Sequence, residues 1–142
     1  MGRTLGLDVG DKRIGVAVSD PMGWTAQPIT VIHRSGVAKD VRALMDAIKE
    51  FEIERVVAGL PLQMNGEEGP QAKRVRGFCD ALSATTGLEI AYQDERLTTV
   101  QSRRLLESAG VRRDRRKEVL DKMAAALILQ AWLDGRAGGN DR

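Results

Sequence analysis

The stretch from Thr4 to Ser19 constrains the fold more than any other part of the sequence. Two runs of small and β-branched apolar residues, Thr4–Val9 and Ile14–Val18, flank a polar turn, Gly10–Arg13. This pattern predicts two antiparallel strands joined by a tight turn. One acidic residue, Asp8, interrupts the first strand near its end. Because a lone charged carboxylate is costly to bury in a strand, Asp8 requires a partner elsewhere in the chain or bound to it.

Composition narrows the class of protein. A chain of 142 residues with 42% hydrophobic and 30% charged residues is typical of one soluble globular domain. No apolar run reaches the ~18–20 residues of a membrane span, and no signal segment precedes the first strand, so we expect a cytoplasmic protein. A single cysteine and a single histidine exclude an internal disulfide and make a histidine triad or zinc site difficult to build. We expect residues 1–134 to form the domain and residues 135–142 a frayed tail.

The remaining pattern predicts an α/β fold. Pro28 in the third strand favours an edge position for that strand. Alternation of strands and helices implies right-handed parallel crossovers, so we expect a five-stranded mixed sheet of order 3-2-1-4-5, with strand 2 antiparallel and helices on both faces. The further predicted strands are Trp24–Val31, Arg55–Leu60 and Leu88–Gln93, and the predicted helices are Gly36–Phe51, Pro70–Thr86, Thr98–Ala109 and Glu118–Leu133. The last predicted helix carries Leu120, Met123, Ala124, Leu127, Ile128 and Ala131. Its run from Met123 to Leu129 is apolar all round, so we expect this helix to be deeply packed.

Basic residues are clustered although the net charge is only +2. The densest run is Arg112–Lys117, with five basic residues in six. Such a run indicates an anionic partner such as nucleic acid. A solvated face is the alternative for any one run.

Three acidic positions converge on one edge of the predicted sheet. Strand one is central, and open α/β sheets bind ligands at the carboxyl ends of their strands. Asp8 lies there, Asp94 or Glu95 can reach the same edge from the fifth strand, and Asp121 lies just inside the apolar last helix. Three carboxylates in this arrangement can hold one or two hard divalent cations such as Mg²⁺. They would then support phosphodiester cleavage without a histidine or a covalent nucleophile.

Each acid also has a purely structural interpretation. Asp8 could be a turn acid at a strand end. Glu95 could pair with Arg96 or cap a loop. Asp121 could be favoured at the start of its helix by the helix dipole.

Five segments of the sequence together resemble the YqgF/RuvX family of the ribonuclease-H-like superfamily. They span nearly the whole chain, and the combination is specific although no single segment is. The segments are LGLDVGDKRIGVAVSDP (Leu5–Pro21), AQPITVI (Ala26–Ile32), VVAGLPLQMNGEEGPQA (Val56–Ala72), YQDERLTT (Tyr92–Thr99) and VLDKMAAALILQAWL (Val119–Leu133).

The resemblance implies a ribonuclease-H-like fold and a metal-dependent nuclease. It places the catalytic and metal-binding acids at Asp8, Glu95 and Asp121, with Mg²⁺ or Mn²⁺ as the cofactor. The family is linked to four-way DNA junctions and to the 5′ end of pre-16S ribosomal RNA. The candidate nucleic-acid contacts are Lys12 and Arg13 in the first turn, Arg96, and the basic residues Arg112, Arg113, Arg115, Arg116 and Lys117.

Two other functions remain open from the sequence. The strand, Asp-x-Gly and hairpin of Leu7–Gly15 loosely fit the phosphate loop of actin-like or sugar-kinase-like phosphotransferases. Asp11 stands where such loops carry a hydroxyl residue, and the chain has no second Asp-x-Gly motif. A non-catalytic RNA-binding factor for ribosome maturation is the other alternative. Either a monomer or a homodimer is compatible with the sequence.

Overall fold

The computed structural model describes residues 2–96 and 117–136. Within these ranges, strands and helices alternate as the sequence predicts. They are β1 (Arg3–Val9), β2 (Arg13–Ser19), β3 (Ala26–His33), α1 (Val37–Ile48), β4 (Ile53–Leu60), α2 (Pro70–Thr86), β5 (Ile90–Asp94) and α3 (Lys117–Gly135). The helix predicted over 98–109, the basic residues 112–116 and the tail beyond 136 lie outside the described residues. No described helix is long and apolar enough to cross a membrane.

The five strands form one mixed sheet in the order β3-β2-β1-β4-β5. β2 is antiparallel to both β1 and β3, whereas β4 is parallel to both β1 and β5. This confirms the predicted strand order and the central position of β1. Pro28 lies on the edge strand β3, where its missing N–H removes no bond from the interior of the sheet.

The two faces of the sheet carry different side chains. Leu5, Leu7 and Val9 of β1 belong to a large apolar core shared with α1 and α2. The alternate residues of β1 face α3, because successive side chains of a strand point to opposite sides. On that side the core is smaller and is built largely from alanines and from Ile128 and Leu129 of α3.

Glycines let α3 approach the sheet closely. A Cβ atom on Gly6 would lie 2.7 Å from the Cβ of Leu129, and one on Gly59 would lie 2.6 Å from the Cδ1 of Ile128. A Cβ atom on Gly15 would overlap the backbone carbonyl oxygen of Asp121. Since heavy atoms in a packed core do not approach so closely, these three positions require glycine while α3 stays in place.

The prediction that α3 is deeply packed is only partly correct. Ala124 and Ile128 are buried, but Leu120, Met123 and Leu127 are 38%, 45% and 49% exposed, and Ala131 is exposed as well. The run from Met123 to Leu129 is apolar all round, so its pattern does not show which side packs. The close approach to glycines selects the alanines for the buried side instead.

Candidate active site

Asp8 is the acid most firmly fixed by the fold. It lies on the central strand, on the face covered by α3, and is only 1% exposed. Its direct partner across the antiparallel pair is Gly15. On the other side, Leu7 pairs with Ala58, so the register carries Asp8 beside Gly59. Asp8 therefore lies between Gly15 and Gly59. Because neither glycine has a side chain, other groups can occupy the α3 face of the sheet on both sides of Asp8.

Asp121 occupies the space above Gly15. It lies near the start of α3, and the backbone carbonyl of Asp121 rests against Gly15. Its carboxylate is buried and accepts a hydrogen bond from Nε of Arg13, with which it forms an ion pair. Arg13, predicted as a phosphate contact, is therefore engaged with one of the predicted metal ligands. No local sequence pattern indicates this pairing, because the two residues are 108 positions apart.

Glu95 occupies the space above Gly59. It is 2% exposed, and a Cβ atom on Gly59 would overlap the carboxylate of Glu95. Asp94, the other candidate, is exposed and forms an ion pair with Arg96, with 2.7 Å between Nη2 and Oδ2. This hydrogen bond from the guanidinium holds the pKa of Asp94 below its usual value. The structure thus separates two neighbouring acids that the sequence left as alternatives.

The donor chemistry of these acids fits a hard divalent cation. Asp8, Glu95 and Asp121 offer carboxylate oxygens, the ligands that Mg²⁺ and Mn²⁺ prefer. Among residues 2–96 and 117–136, however, no three acidic, histidine or cysteine side chains lie close enough together to hold a metal ion. The fold brings Asp121 and Glu95 to the two glycines that flank Asp8, and it does not assemble the three carboxylates into one coordination group.

The basic candidates differ in how much the structure describes. Lys12 is exposed at the tip of the β1–β2 turn. Arg96 is paired with Asp94 and donates from Nη1 to the carbonyl oxygen of Met64, at 3.4 Å. Arg112, Arg113, Arg115 and Arg116 lie outside the described residues, as does the side chain of Lys117, whose backbone begins α3. Phosphate binding by these residues stays a prediction.

A buried ion pair that the sequence did not indicate supports the β1–β2 turn. Asp40 at the start of α1 is 1% exposed and accepts hydrogen bonds from Nε of Arg34 and from the N–H of Ser35, both at 2.9 Å. Arg34 also donates from Nη1 to the carbonyl of Gly10, and its backbone N–H donates to the carbonyl of Lys12. Arg34 therefore connects α1 to the turn that follows Asp8.

We expect Asp40→Asn to destabilise the protein by about 2–3 kcal/mol at pH 7, because it leaves the partly buried Arg34 without its carboxylate. Burial alone would raise the pKa of Asp40, but the Ser35 N–H and the Arg34 guanidinium outweigh it and lower that pKa. A lowered folded-state pKa gives stability that is complete above the unfolded value of about 3.9 and is lost as the pH falls through the folded value. In urea unfolding, the gap between wild type and variant should be constant from pH 7 to about pH 5 and narrow below about pH 4.

Cys79 is not a nucleophile for this site. It is fully buried in the core on the α1 and α2 side of the sheet, away from Asp8. Burial raises the pKa of its thiol to about 11, so the sulfur is protonated near neutral pH. The chemistry at the carboxyl edge of the sheet must therefore come from the carboxylates and basic residues that lie there.

Two solved structures of similar fold are resolvases of Holliday junctions. RuvC of T. thermophilus, solved in complex with a Holliday junction substrate, matches with a TM-score of 0.58 and 14% identity over 97% of both chains. The fowlpox virus Holliday junction resolvase matches with a TM-score of 0.52 and 12% identity, over 94% of this chain and 99% of that one. At these identities the likeness establishes the ribonuclease-H-like fold alone.

Sequence relatives are much closer and extend over nearly the full length of both chains. A protein of Moorella thermoacetica is 51% identical, over 97% of this chain and 98% of its own. One of Syntrophomonas wolfei is 48% identical, over 98% of this chain and 99% of its own. Both carry the name "Putative pre-16S rRNA nuclease". A family model described as "RuvX: Holliday junction resolvase" matches residues 2–135, and the chain therefore belongs to the RuvX family of nucleases.

Proposed function

We propose that this chain is a divalent-metal-dependent endonuclease that cleaves the 5′ leader of pre-16S ribosomal RNA. The observation that carries the proposal is the burial of three acids, Asp8, Glu95 and Asp121, on one face of the carboxyl edge of the sheet. Burying a carboxylate costs folding free energy. Acids that are nevertheless buried together at one edge of a sheet indicate a place where their charge serves a function. The names of the close relatives supply the substrate.

Asp8, Glu95 and Asp121 are the residues that would hold Mg²⁺ or Mn²⁺. Such an ion, when bound, supplies a Lewis acid and lowers the pKa of water. The position of Asp8 is well defined, because β1 is hydrogen-bonded to β2 on one side and to β4 on the other. The packing of Ile128 above Gly59 and of Leu129 above Gly6 excludes water behind the acids. We expect substrate to approach from the β1–β2 turn, where Lys12 is exposed.

The basic residues would bind the phosphate backbone of the RNA. Lys12 is exposed in the turn that follows Asp8, so its ammonium can meet a phosphate close to the scissile bond. The basic run at 112–117 immediately precedes α3, which carries Asp121. Contacts of this kind position the substrate without reading its bases.

The triple variant of the basic run should bind RNA more weakly and with a weaker dependence on salt concentration. It combines Arg113→Gln, Arg115→Gln and Arg116→Gln. For single-stranded nucleic acid, the slope of log affinity against log salt should become shallower by about 2, because each lost phosphate contact removes about 0.7. Fluorescence anisotropy over a salt series measures this slope. The matched control replaces three exposed basic residues, Lys39 and Arg42 of α1 and Lys49 directly after it. An equal change in both triple variants would show that only net charge matters.

The choice between RNA and DNA requires both substrates side by side. Purified protein with Mn²⁺ would be given a pre-16S 5′ leader and a synthetic four-way DNA junction, with EDTA as the control. We expect cleavage of the leader, none in EDTA, and slower cleavage of the junction. Faster cleavage of the junction would instead favour junction resolution, the function in the description of the family model. Binding without any cleavage would favour the non-catalytic RNA-binding alternative.

A further inference from the structure

We infer that Arg13 competes with the divalent cation for Asp121 and thereby sets the metal affinity of the site. The inference rests on the proposed function, because it assumes that Asp121 is a metal ligand. It explains why the described carboxylates do not form a coordination group although their donor chemistry suits a metal. The contact that carries it is the ion pair between Nε of Arg13 and Oδ2 of Asp121.

The ion pair is sheltered enough to compete. The side chains of Arg13 and Asp121 are only 14% and 5% exposed. A charge-assisted hydrogen bond out of bulk water is stronger than an exposed one, since solvent screens it less. A cation that binds Asp121 must therefore displace the guanidinium or share the carboxylate with it against charge repulsion. In both cases Arg13 makes the binding free energy of the metal less favourable and so weakens metal binding.

Arg13 is the partner able to move. Asp121 lies on α3, its backbone carbonyl is close to Gly15, and its short side chain reaches far less than that of an arginine. Arg13 lies where the β1–β2 turn enters β2, with a long flexible side chain next to the exposed Lys12. Displacement of the pair therefore moves the guanidinium and leaves the carboxylate in place.

The displaced guanidinium has a natural second partner. Arginine stays charged at any physiological pH, and its planar fork of N–H donors matches a phosphate group. A phosphodiester bound near Asp8 would take Arg13 away from Asp121 and favour metal binding. By linkage, the metal would raise the affinity for the phosphodiester by the same factor. Arg13 would thus couple loading of the metal to loading of the substrate.

Titration with Mn²⁺ alone, without nucleic acid, tests the competition. Binding would be followed by calorimetry or by the EPR signal of free Mn²⁺ for wild type, Arg13→Gln and Arg74→Gln. Arg74 is the matched control. It also forms an ion pair with an acid, Asp11 of the β1–β2 turn, but the side chains of Arg74 and Asp11 are 56% and 63% exposed. We expect Arg13→Gln to tighten Mn²⁺ binding on the order of tenfold and Arg74→Gln to change it less than about twofold. Equal effects in both variants, or weaker binding by Arg13→Gln, would overturn the inference.

A second measurement covers the loss of stability that Arg13→Gln brings. Arg13→Gln removes one charged partner of the buried Asp121 carboxylate, so the midpoint of thermal unfolding in EDTA should fall. Saturating Mn²⁺ should raise this midpoint more in Arg13→Gln than in wild type, and an equal or smaller rise would contradict the competition. If no variant binds Mn²⁺, the metal-dependent function fails together with the inference. If wild type and Arg13→Gln bind Mn²⁺ equally, the inference alone fails.

Discussion

Asp8→Asn should lower single-turnover cleavage of the leader RNA by about a thousandfold or more while leaving the fold intact. The substitution keeps the size of the side chain and removes its negative charge. Binding of a divalent cation depends on that charge, because Mg²⁺ and Mn²⁺ prefer anionic carboxylate ligands. Asp8 also lies between the positions of the other two acids, so its loss affects the whole group. Groups that act as a unit lose most of their effect when one member is removed.

Asp11→Asn is the matched control for this prediction. Asp11 lies three positions further along, in the β1–β2 turn, is 63% exposed and pairs with Arg74. The chemical change is identical, so a general effect of charge on RNA binding would appear in both variants. We expect Asp11→Asn to stay within about threefold of wild type, because exposed pairs contribute little. Cleavage by Asp8→Asn at a rate near that of Asp11→Asn would remove Asp8 from the site.

Gly15→Ala should destabilise the protein by about 2–3 kcal/mol, because its methyl group would overlap the backbone carbonyl of Asp121. The clash is with backbone, so α3 itself must move away from the sheet. A shift of about 1 Å in a catalytic group can cost on the order of a hundredfold in rate. We therefore expect the cleavage rate to fall by about this factor even under conditions where the variant is folded. Urea unfolding and single-turnover cleavage measure the two effects.

Gly77→Ala provides the opposite expectation from the same chemical change. Gly77 is exposed on α2, and a Cβ atom there would meet nothing within 4 Å. Alanine is the better helix former, so this variant should be more stable by about 0.5–1 kcal/mol. Its cleavage rate should not change. If both alanine variants lost stability, or neither did, the close contact between α3 and β2 would be wrong.

Much of the fold could be predicted because local patterns and short connections determine it. The two apolar runs of Thr4–Ser19, the edge proline Pro28 and the alternation of the later strands with helices predicted the order of the strands. The helix predicted to end at Thr86 does end there, and Gly87 follows it at a φ of +76°. The buried side of α3 could not be predicted, since its apolar run has no polar face. That side depends on Gly6, Gly15 and Gly59, and a glycine in a strand gives no sign of what will pack against it.

The acids of the candidate site were predicted more fully than their surroundings. Asp8 and Asp121 follow from the strand order and from the start of the last helix, whereas the choice of Glu95 over Asp94 rested on family resemblance. Only the register of β4 and β5 places Glu95 above Gly59 and leaves Asp94 to pair with Arg96. The ion pairs of Arg13 and Arg34 join residues from different elements, and no local pattern in the sequence indicates such pairs.

The most direct test asks whether the three acids act as one group. Single-turnover cleavage of the leader RNA in Mn²⁺ would be compared for Asp8→Asn, Glu95→Gln, Asp121→Asn and the triple variant. If they form one metal-binding group, each single variant should fall to within about tenfold of the triple variant, because removing one member disables the rest. A single variant that cleaved the leader at more than about a tenth of the wild-type rate, with the triple variant inactive, would contradict a shared metal site.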